Sequence, residues 1–351
     1  MKSIAAIQLD PKSNLIVDEI EIPDPIKKQV QVKLISSGIC HSQLHHMHDP
    51  QLTRPLSLGH EAVGIVTKVG PDSKYVKEGD HVIVTWVSRI PKTGRYVPTI
   101  EGITYKEKPV YVRMVFTWAE TIICEDEFLV KIDPKDSSPE SSIVGCAVLT
   151  GAGAVKNTAK VKEGDTVTVF GAGGVGLSAI AMASILKASK IIVVDLDNEK
   201  LEFSKKFGAT HIVNAKENNA VEEILDISNG GVDYAFDAIG VKITMEQILS
   251  VTKGGGSGAD NHGGMSVLIG MPAVNKIDIN PELFMYHQKI YRGSLGSTYP
   301  EKDFPYFLDL YRQGKFPIDK LVTTSFKLNQ INDACNKLDS GQIAGRAIIK
   351  Y

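Results

Sequence analysis

The chain is expected to be an α/β protein: a doubly wound parallel sheet with a second, β-rich domain beside it. Three observations predict this. The first 90 residues alternate short β-rich runs with turn signals; from about Gly145 onward strand-like runs alternate with helical stretches; and a glycine turn, GAGGVG, stands between one such run and an apolar helix. The length of 351 residues allows two domains, and 43% hydrophobic with 23% charged residues is an ordinary globular composition.

Taken in order, QVQVKLISSG, AVGIVTKVG followed by the turn-rich PDSKYVKEGD, and HVIVTW read as strands of the β-rich domain. Between Ser88 and Trp118 the periodicity weakens, and RIPKTGRYVPTIEGITYKEKP reads as a polar excursion or lobe. After Gly145 come the strand TVTVF, the glycine turn and a helix through Leu186. The strand KIIVVD, a helix near Lys200 to Phe207, HIVN, a helix around Glu222 to Ile227 and VDYAFDAIG follow. Two further strands are expected in MSVLIG (265–270) and KIYRGS (289–294). The stretch KIYRGSLGS suits either a sheet edge or an internal strand. The loop from Gly254 to Gly264, GGGSGADNHGG, reads either as a mobile loop near a ligand site or as a surface insertion.

The net charge of -2, with both signs interspersed, leaves no electrostatic footprint for nucleic acid or an anionic membrane. Four scattered cysteines, Cys40, Cys124, Cys146 and Cys335, argue against a disulfide framework and for a reducing compartment. The start, MKSIAAIQLD, lacks the apolar run of a signal peptide or a membrane span, so a cytoplasmic location is expected.

In TVTVFGAGGVG, Gly171 permits a tight turn, Gly173 lets backbone approach a pyrophosphate, and Gly176 allows a helix to pack closely, with Gly174 completing the turn. A lone glycine pattern is weak, but here a strand precedes it, a helix follows it, and Asp195 ends KIIVVD at the distance of a ribose-binding acid. A carboxylate there accepts hydrogen bonds from ribose hydroxyls and repels a 2′-phosphate, which favours NAD over NADP. The competing account is a glycine turn that serves packing alone.

The ten residues ICHSQLHHMH hold one cysteine and four of the nine histidines. Cys40 in that stretch, His60 beside Glu61 in LGHEAVG, and Cys146 in VGCAVLTG offer an imidazole and two thiolates. Three protein ligands leave the fourth zinc position open, as a catalytic site requires. For Cys124 and Cys335 the simpler reading is a small buried hydrophobe.

Together GICHS, GHEAVG and GCAVLTGAGAV resemble the zinc-dependent alcohol dehydrogenases of the medium-chain dehydrogenase/reductase superfamily, and the similarity runs on to the terminal GQIAGRAIIKY. The resemblance implies a GroES-like catalytic zinc domain over 1–147 and 296–351, a Rossmann NAD-binding domain over 148–295, and a homodimer or homotetramer. It implies Cys40, His60 and Cys146 as ligands of a catalytic zinc, the Cys₂His set known from alcohol dehydrogenase, with Glu61 close to the metal. Ser42 matches the hydroxyl that touches the alcohol oxygen, and His45 the histidine that passes the proton to solvent. His41 and Arg346 fall where the family contacts the pyrophosphate, Lys200 beside the adenosine ribose, and Thr150 and Val175 against the nicotinamide face. Trp86 falls on the pocket wall, where an indole narrows the space and favours slim substrates. His46 and His48 have no counterpart and are expected as exposed loop histidines.

The implied reaction interconverts an alcohol and an aldehyde or ketone by hydride transfer to or from NAD, with zinc lowering the pKa of the bound hydroxyl. Cys146 sets the chain nearer the classical dimeric and glutathione-linked alcohol dehydrogenases than the polyol dehydrogenases, in which a glutamate takes that place; a polyol dehydrogenase is the runner-up. A zinc-free quinone reductase would lack the ligands, and a nucleotide-binding protein without turnover would be expected to have lost Ser42, His45 or a ligand. There are two departures. Gln43 stands where the family has an aspartate that orients the zinc-bound histidine. The lobe from Ser88 to Trp118 has no cysteine, so one catalytic zinc and no structural zinc is expected.

Overall fold

A computed structural model describes residues 1–351 apart from Lys12 and Arg95. The chain divides into two compact units, one of Met1–Cys146, Tyr299–Arg312 and Ile318–Tyr351, the other of Ala147–Thr298 and Gln313–Pro317.

Among the described residues the first unit holds two sheets. The smaller runs Leu56–Ser57, Lys2–Gln8, Ile16–Glu21, Thr104–Tyr105, Lys108–Pro109. The larger runs Leu129–Lys131, His81–Val84, Ala62–Val69, Gln29–Ile39, Arg346–Lys350, Val322–Phe326, with Thr121–Glu125 also paired to Gln29–Ile39. In Gln29–Ile39 the alternation that marks a half-buried strand is visible around exposed Lys33, between buried Val32 and Leu34; from Ser36 to Ile39 every residue is buried. That fully enclosed end leads into Cys40. The C-terminal strand lies antiparallel beside it with Ala347 opposite Ile39, so a residue from the far end of the sequence arrives next to Cys40.

The reading of Ser88–Trp118 as a polar excursion needs correction, Arg95 lying outside the described residues. Ile100, Ile103, Tyr105, Val110, Val112 and Phe116 belong to the first unit's core, and Trp118 is fully buried in a neighbouring cluster. These apolar residues are spaced by glycine and charge without helical or strand period, which hides their burial from a periodicity argument. Arg89 stacks on the Tyr75 ring at 3.3 Å, and Glu127 takes Ser88 Oγ at 2.7 Å and Lys92 Nζ at 2.9 Å, so the lobe's start is tied down by charge.

His41–His48 is a helix, α1, and not a loop. Its buried residues Gln43, Leu44 and Met47 fall at i, i+1 and i+4 on one face. Leu44 and Met47 pack in the cluster that holds Ile331, Ala334 and Cys335. His46, expected to be exposed, is half-buried and accepts from Arg113 Nη1 at 2.5 Å, whereas His48 is exposed at the helix end.

The second unit carries, among the described residues, a six-stranded parallel sheet in the order His211–Asn214, Lys190–Asp195, Thr166–Phe170, Tyr234–Asp237, Met265–Leu268, Ile290–Gly293. Numbered within the unit this is 3-2-1-4-5-6, the Rossmann order. Strands covered on both faces read as unbroken apolar runs, and Ile191 to Val194 are all buried. Ala147–Gly153 (α2) packs against Gly174–Ile185 (α3), where a Cβ on Gly151 would lie 2.1 Å from the Val175 carbonyl oxygen.

Two open questions of the sequence are decided here. The Gly254–Gly264 loop enters the N-terminal end of Met265–Leu268, whereas the glycine turn follows the C-terminal end of Thr166–Phe170. In a parallel sheet these are opposite ends of the strands, so the loop is a surface insertion remote from the turn. Ile290–Gly293 is the outermost strand, not an internal one. Among the described residues no helix is long and apolar enough to cross a membrane.

Candidate active site

The ligands expected from the sequence come from three separated segments of the first unit. Cys40 is the residue between the strand Gln29–Ile39 and α1; His60 and Glu61 directly precede the strand Ala62–Val69; Cys146 follows the 3-10 segment Pro139–Gly145. One donor atom from each of Cys40, His60, Glu61 and Cys146 lies within 4.8 Å of all the others. The two sulfurs are 3.9 Å apart, against about 3.8 Å for two thiolates each some 2.3 Å from a tetrahedral zinc. His60 Nε2 is 3.0 Å from Cys146 Sγ, so the imidazole presents the same nitrogen to the same point. The donor set and its spacing fit zinc. The Cys146 thiol donates toward Cys40 and, with the charge of Arg346 and His60, holds Cys40 well below the usual thiol range despite burial. Cys146, as that donor and buried as well, is pushed well above it.

Cys124 and Cys335 are elsewhere. Burial pushes the Cys124 thiol up, and Cys335 to about 12 with a contribution from Asp339, as for inert core sulfur.

Glu61 is 0% exposed and pairs with Arg346, itself 5% exposed, at 2.5 Å from Nη2 to Oε1. Burial opposes the guanidinium charge, but Cys40, Glu61 and Cys146 together raise its pKa further. The Nε of Arg346 is buried without a partner. Arg346, matched to a pyrophosphate contact by resemblance, is thus placed against the Cys40 cluster and Glu61. The pattern reading passed over Gly38, whose missing side chain makes room for Glu61; a glycine ahead of a candidate ligand in SSGIC was the available signal.

On α1, Ser42 Oγ donates to Cys40 Sγ at 3.2 Å, one turn from exposed His45. His41 and His45 lie edge to face with ring centroids 5.6 Å apart. Burial, then the neighbouring His45, lowers the His41 pKa below the ordinary histidine value. Gln43 lies beneath them: its Oε1 accepts from the Gly59 N–H at 2.7 Å and its Nε2 is 2.5 Å from His60 Nδ1. Trp86 is half-buried against the first unit's core, and its Nε1 is buried with no partner.

In the second unit, Gly171 has φ +99, a conformation that L side chains rarely adopt. Gly173 caps the start of α3, and a Cβ built there meets nothing within 4 Å, whereas one on Gly176 would lie 1.7 Å from the Gly171 carbonyl oxygen. The turn is therefore tight at its third glycine and open at its second, which suits a pyrophosphate over the helix amides. Asp195 Oδ2 accepts from the Ala172 N–H at 2.8 Å and Oδ1 from the Leu196 N–H at 2.7 Å, so the carboxylate is held against the turn. Lys200 lies on the helix Asn198–Ser204, one turn beyond. On α2, Thr150 Oγ1 is buried and has no hydrogen-bond partner; Gly174 and Val175 open α3. An open second glycine, an orphaned buried hydroxyl and an anchored acid fit a dinucleotide.

The profile described as "Alcohol dehydrogenase GroES-like domain" matches residues 26–134, and that described as "Zinc-binding dehydrogenase" matches 174–313. The S-(hydroxymethyl)glutathione dehydrogenase of Saccharomyces cerevisiae is 32% identical over 382 residues, covering 100% of this chain and 96% of its own length. The class-3 alcohol dehydrogenase of Zea mays is 31% identical over 96% of this chain and 94% of its own. Among solved structures, benzyl alcohol dehydrogenase from Acinetobacter calcoaceticus superposes with a TM-score of 0.87 at 28% identity, covering 100% of this chain and 99% of its own. Such likeness along the whole length, with the cysteine and histidine side chains of that family converging as described, means that the chain belongs to the zinc-dependent alcohol dehydrogenases of the medium-chain dehydrogenase/reductase superfamily, oxidoreductases that interconvert alcohols with aldehydes or ketones.

Proposed function

We propose that this oxidoreductase uses NAD to interconvert a slim alcohol and its aldehyde or ketone, with one zinc per subunit at Cys40, His60 and Cys146 and no structural zinc. The observation that carries this is the convergence of those three side chains and Glu61 within 4.8 Å. Zinc at this site supplies Lewis-acid polarisation of a hydroxyl or carbonyl oxygen. The protein supplies the rest. Ser42, whose Oγ already lies 3.2 Å from Cys40 Sγ, takes the alcohol proton, and His45, exposed one turn on, exchanges it with water. Glu61, balanced by Arg346, keeps a carboxylate beside the thiolates. Trp86 narrows the substrate side, with its indole N–H left to a ligand or water.

The first unit is the catalytic domain and the second the NAD-binding domain. Within the second unit, Asp195 and Lys200 hold the adenosine ribose, Gly171, Gly173, Gly174 and Gly176 face the pyrophosphate, and Thr150 and Val175 support the nicotinamide. The cysteine-free lobe needs no metal to cohere, because Ile100, Ile103, Tyr105, Val110 and Val112 anchor it in the core. The edge strand Ile290–Gly293, with Leu295 74% exposed beside it, supports assembly into a homodimer or homotetramer, and four free cysteines suit the reducing cytoplasm. The Cys146 sulfur in the cluster favours a simple alcohol over a polyol.

The test is zinc analysis of the purified protein, followed by chelation and re-addition of zinc while primary, secondary, aromatic and polyol substrates are assayed with NAD and NADP. One zinc per chain and activity lost on stripping are expected. Full activity without zinc, or a preference for NADP, would overturn the proposal.

A further inference from the structure

A run of polar contacts crosses the site with a definite direction. The Gly59 N–H donates to Gln43 Oε1 at 2.7 Å; the Gln43 amide NH₂ faces His60 Nδ1 at 2.5 Å; His60 Nε2 faces Cys146 Sγ at 3.0 Å; and Cys146 donates on to Cys40. An amide NH₂ can only donate, so Nδ1 accepts, and the proton of a neutral imidazole then sits on Nε2. Nε2 is the nitrogen that faces the sulfurs. To ligate through it His60 must carry its proton on Nδ1 instead and needs an acceptor behind it.

Gln43 has one acceptor atom and is asked for two. Turning the amide over brings Oε1 to the Nδ1–H but sets NH₂ against the Gly59 N–H, donor against donor. The orphaned group has nowhere else to go. Gly59 is buried at φ +95, and a Cβ on it would lie 2.6 Å from both Thr117 Oγ1 and the Trp118 backbone nitrogen, so this segment has no room to re-aim its N–H. Gln43 is itself 3% exposed, which keeps bulk water from serving as the substitute. Whichever way the amide is assigned, it offers a single oxygen to two donors, which must share it or compete for it. A carboxylate of the same length would accept from both.

We propose that Gln43 is a positioning residue that opposes metal loading: by offering one acceptor to the Gly59 N–H and the His60 Nδ1–H, it makes zinc at Cys40, His60 and Cys146 weaker and more exchangeable than a carboxylate at this position would. The inference rests on the zinc reading above and concerns the strength and reversibility of that binding. It implies that the amide turns when zinc enters and that the Gly59 N–H loses its acceptor.

The test compares wild type, Gln43→Glu and Gln43→Met by competition for Zn²⁺ against a chromophoric chelator, with unfolding curves to establish that each variant is folded. Gln43→Glu, able to accept from both donors, is expected to lower the zinc Kd by about 10- to 100-fold, and Gln43→Met, able to accept from neither, to raise it. Added charge alone could tighten binding, so a second readout follows the Gly59 amide by NMR in glycine-labelled protein. On zinc titration its proton should shift upfield and exchange faster in wild type and stay put in Gln43→Glu. Should Gln43→Glu fold poorly, the Gly59 amide of wild type and the Gln43→Met comparison still decide. A Gln43→Glu protein that binds zinc no more tightly than wild type, or a Gly59 amide unmoved by zinc in wild type, overturns the inference. Failure of wild type to take up zinc at all would overturn the underlying reading instead, and is seen before any variant is compared.

Discussion

Gly38 and Glu61 are complementary: a Cβ on Gly38 would lie 2.4 Å from the Glu61 carboxyl carbon, so the absent side chain is the space in which the carboxylate sits. Glu61 is fully buried there and pairs with Arg346. A buried pair of this kind is costly to disturb from one side, because the partner is left as an uncompensated charge.

Gly38→Ala is therefore expected to push Glu61 out of place, destabilise the protein by about 1–3 kcal/mol and lower its zinc affinity. Denaturant unfolding and zinc competition measure the two effects. Wild-type stability in the variant would show that the pocket yields.

Cys40→Ser and Cys146→Ser are each expected to leave the protein with little zinc and little activity. Cys124→Ser is the control. It is expected to cost about 1–3 kcal/mol for an unpaired buried hydroxyl while keeping the metal content of wild type, since Cys124 lies in the core of the first unit away from the cluster. Zinc analysis of the three proteins separates a ligand sulfur from a packing sulfur.

The glycine turn offers a contrast within four residues. Gly173→Ala meets open space and should fold with wild-type stability, yet raise the KM for NAD by about tenfold or more, equivalent to about 1.4 kcal/mol, because the methyl occupies room meant for the pyrophosphate. Gly176→Ala should instead destabilise the fold, its Cβ being 1.7 Å from the Gly171 carbonyl. Calorimetry and NAD titration on both variants decide; equal behaviour would refute the assignment of separate roles.

Asp195→Ser is expected to relax the preference for NAD over NADP by about tenfold or more in kcat/KM, again about 1.4 kcal/mol, and to loosen the turn by removing the acceptor of the Ala172 N–H. An unchanged cofactor ratio would remove Asp195 from the ribose site.

Stability toward acid has a local contributor in the second unit. Burial pushes the Asp233 pKa up, but Lys253 and the Thr166 N–H and O–H outweigh it and hold the carboxyl below its ordinary value. A depressed folded pKa means that the unfolded chain binds the proton more readily, so this stabilisation is present above the unfolded value near 3.9 and is lost as pH falls through the folded one. Asp233→Asn should lower stability by about 1–3 kcal/mol at pH 7, with the gap to wild type closing below about pH 4. Urea unfolding at pH 7 and pH 3 measures it. A gap that stays constant with pH would assign the effect to packing.

Legibility followed distance along the chain. The strand Thr166–Phe170, the three glycines and Asp195 were readable because spacing, period and turn chemistry act over a few residues. The helix His41–His48 was not, since four histidines obscure the face made by Gln43, Leu44 and Met47. The lobe's buried residues were missed for a related reason: Ile100, Ile103 and Val110 enter the core singly and carry no period.

By itself the amino-acid order determined the parallel α/β half, the glycine turn with its acid, and the candidate donors Cys40, His60 and Cys146. Tertiary structure alone decided that Arg346 meets Glu61 across 285 positions, that Gln43 stands between Gly59 and His60, and that Ile290–Gly293 lies at a sheet edge. The physical reason is register. Strand pairing sets Ala347 opposite Ile39 and so brings remote segments to the neighbourhood of one cysteine, and such pairing depends on long-range packing that no local stretch of sequence encodes.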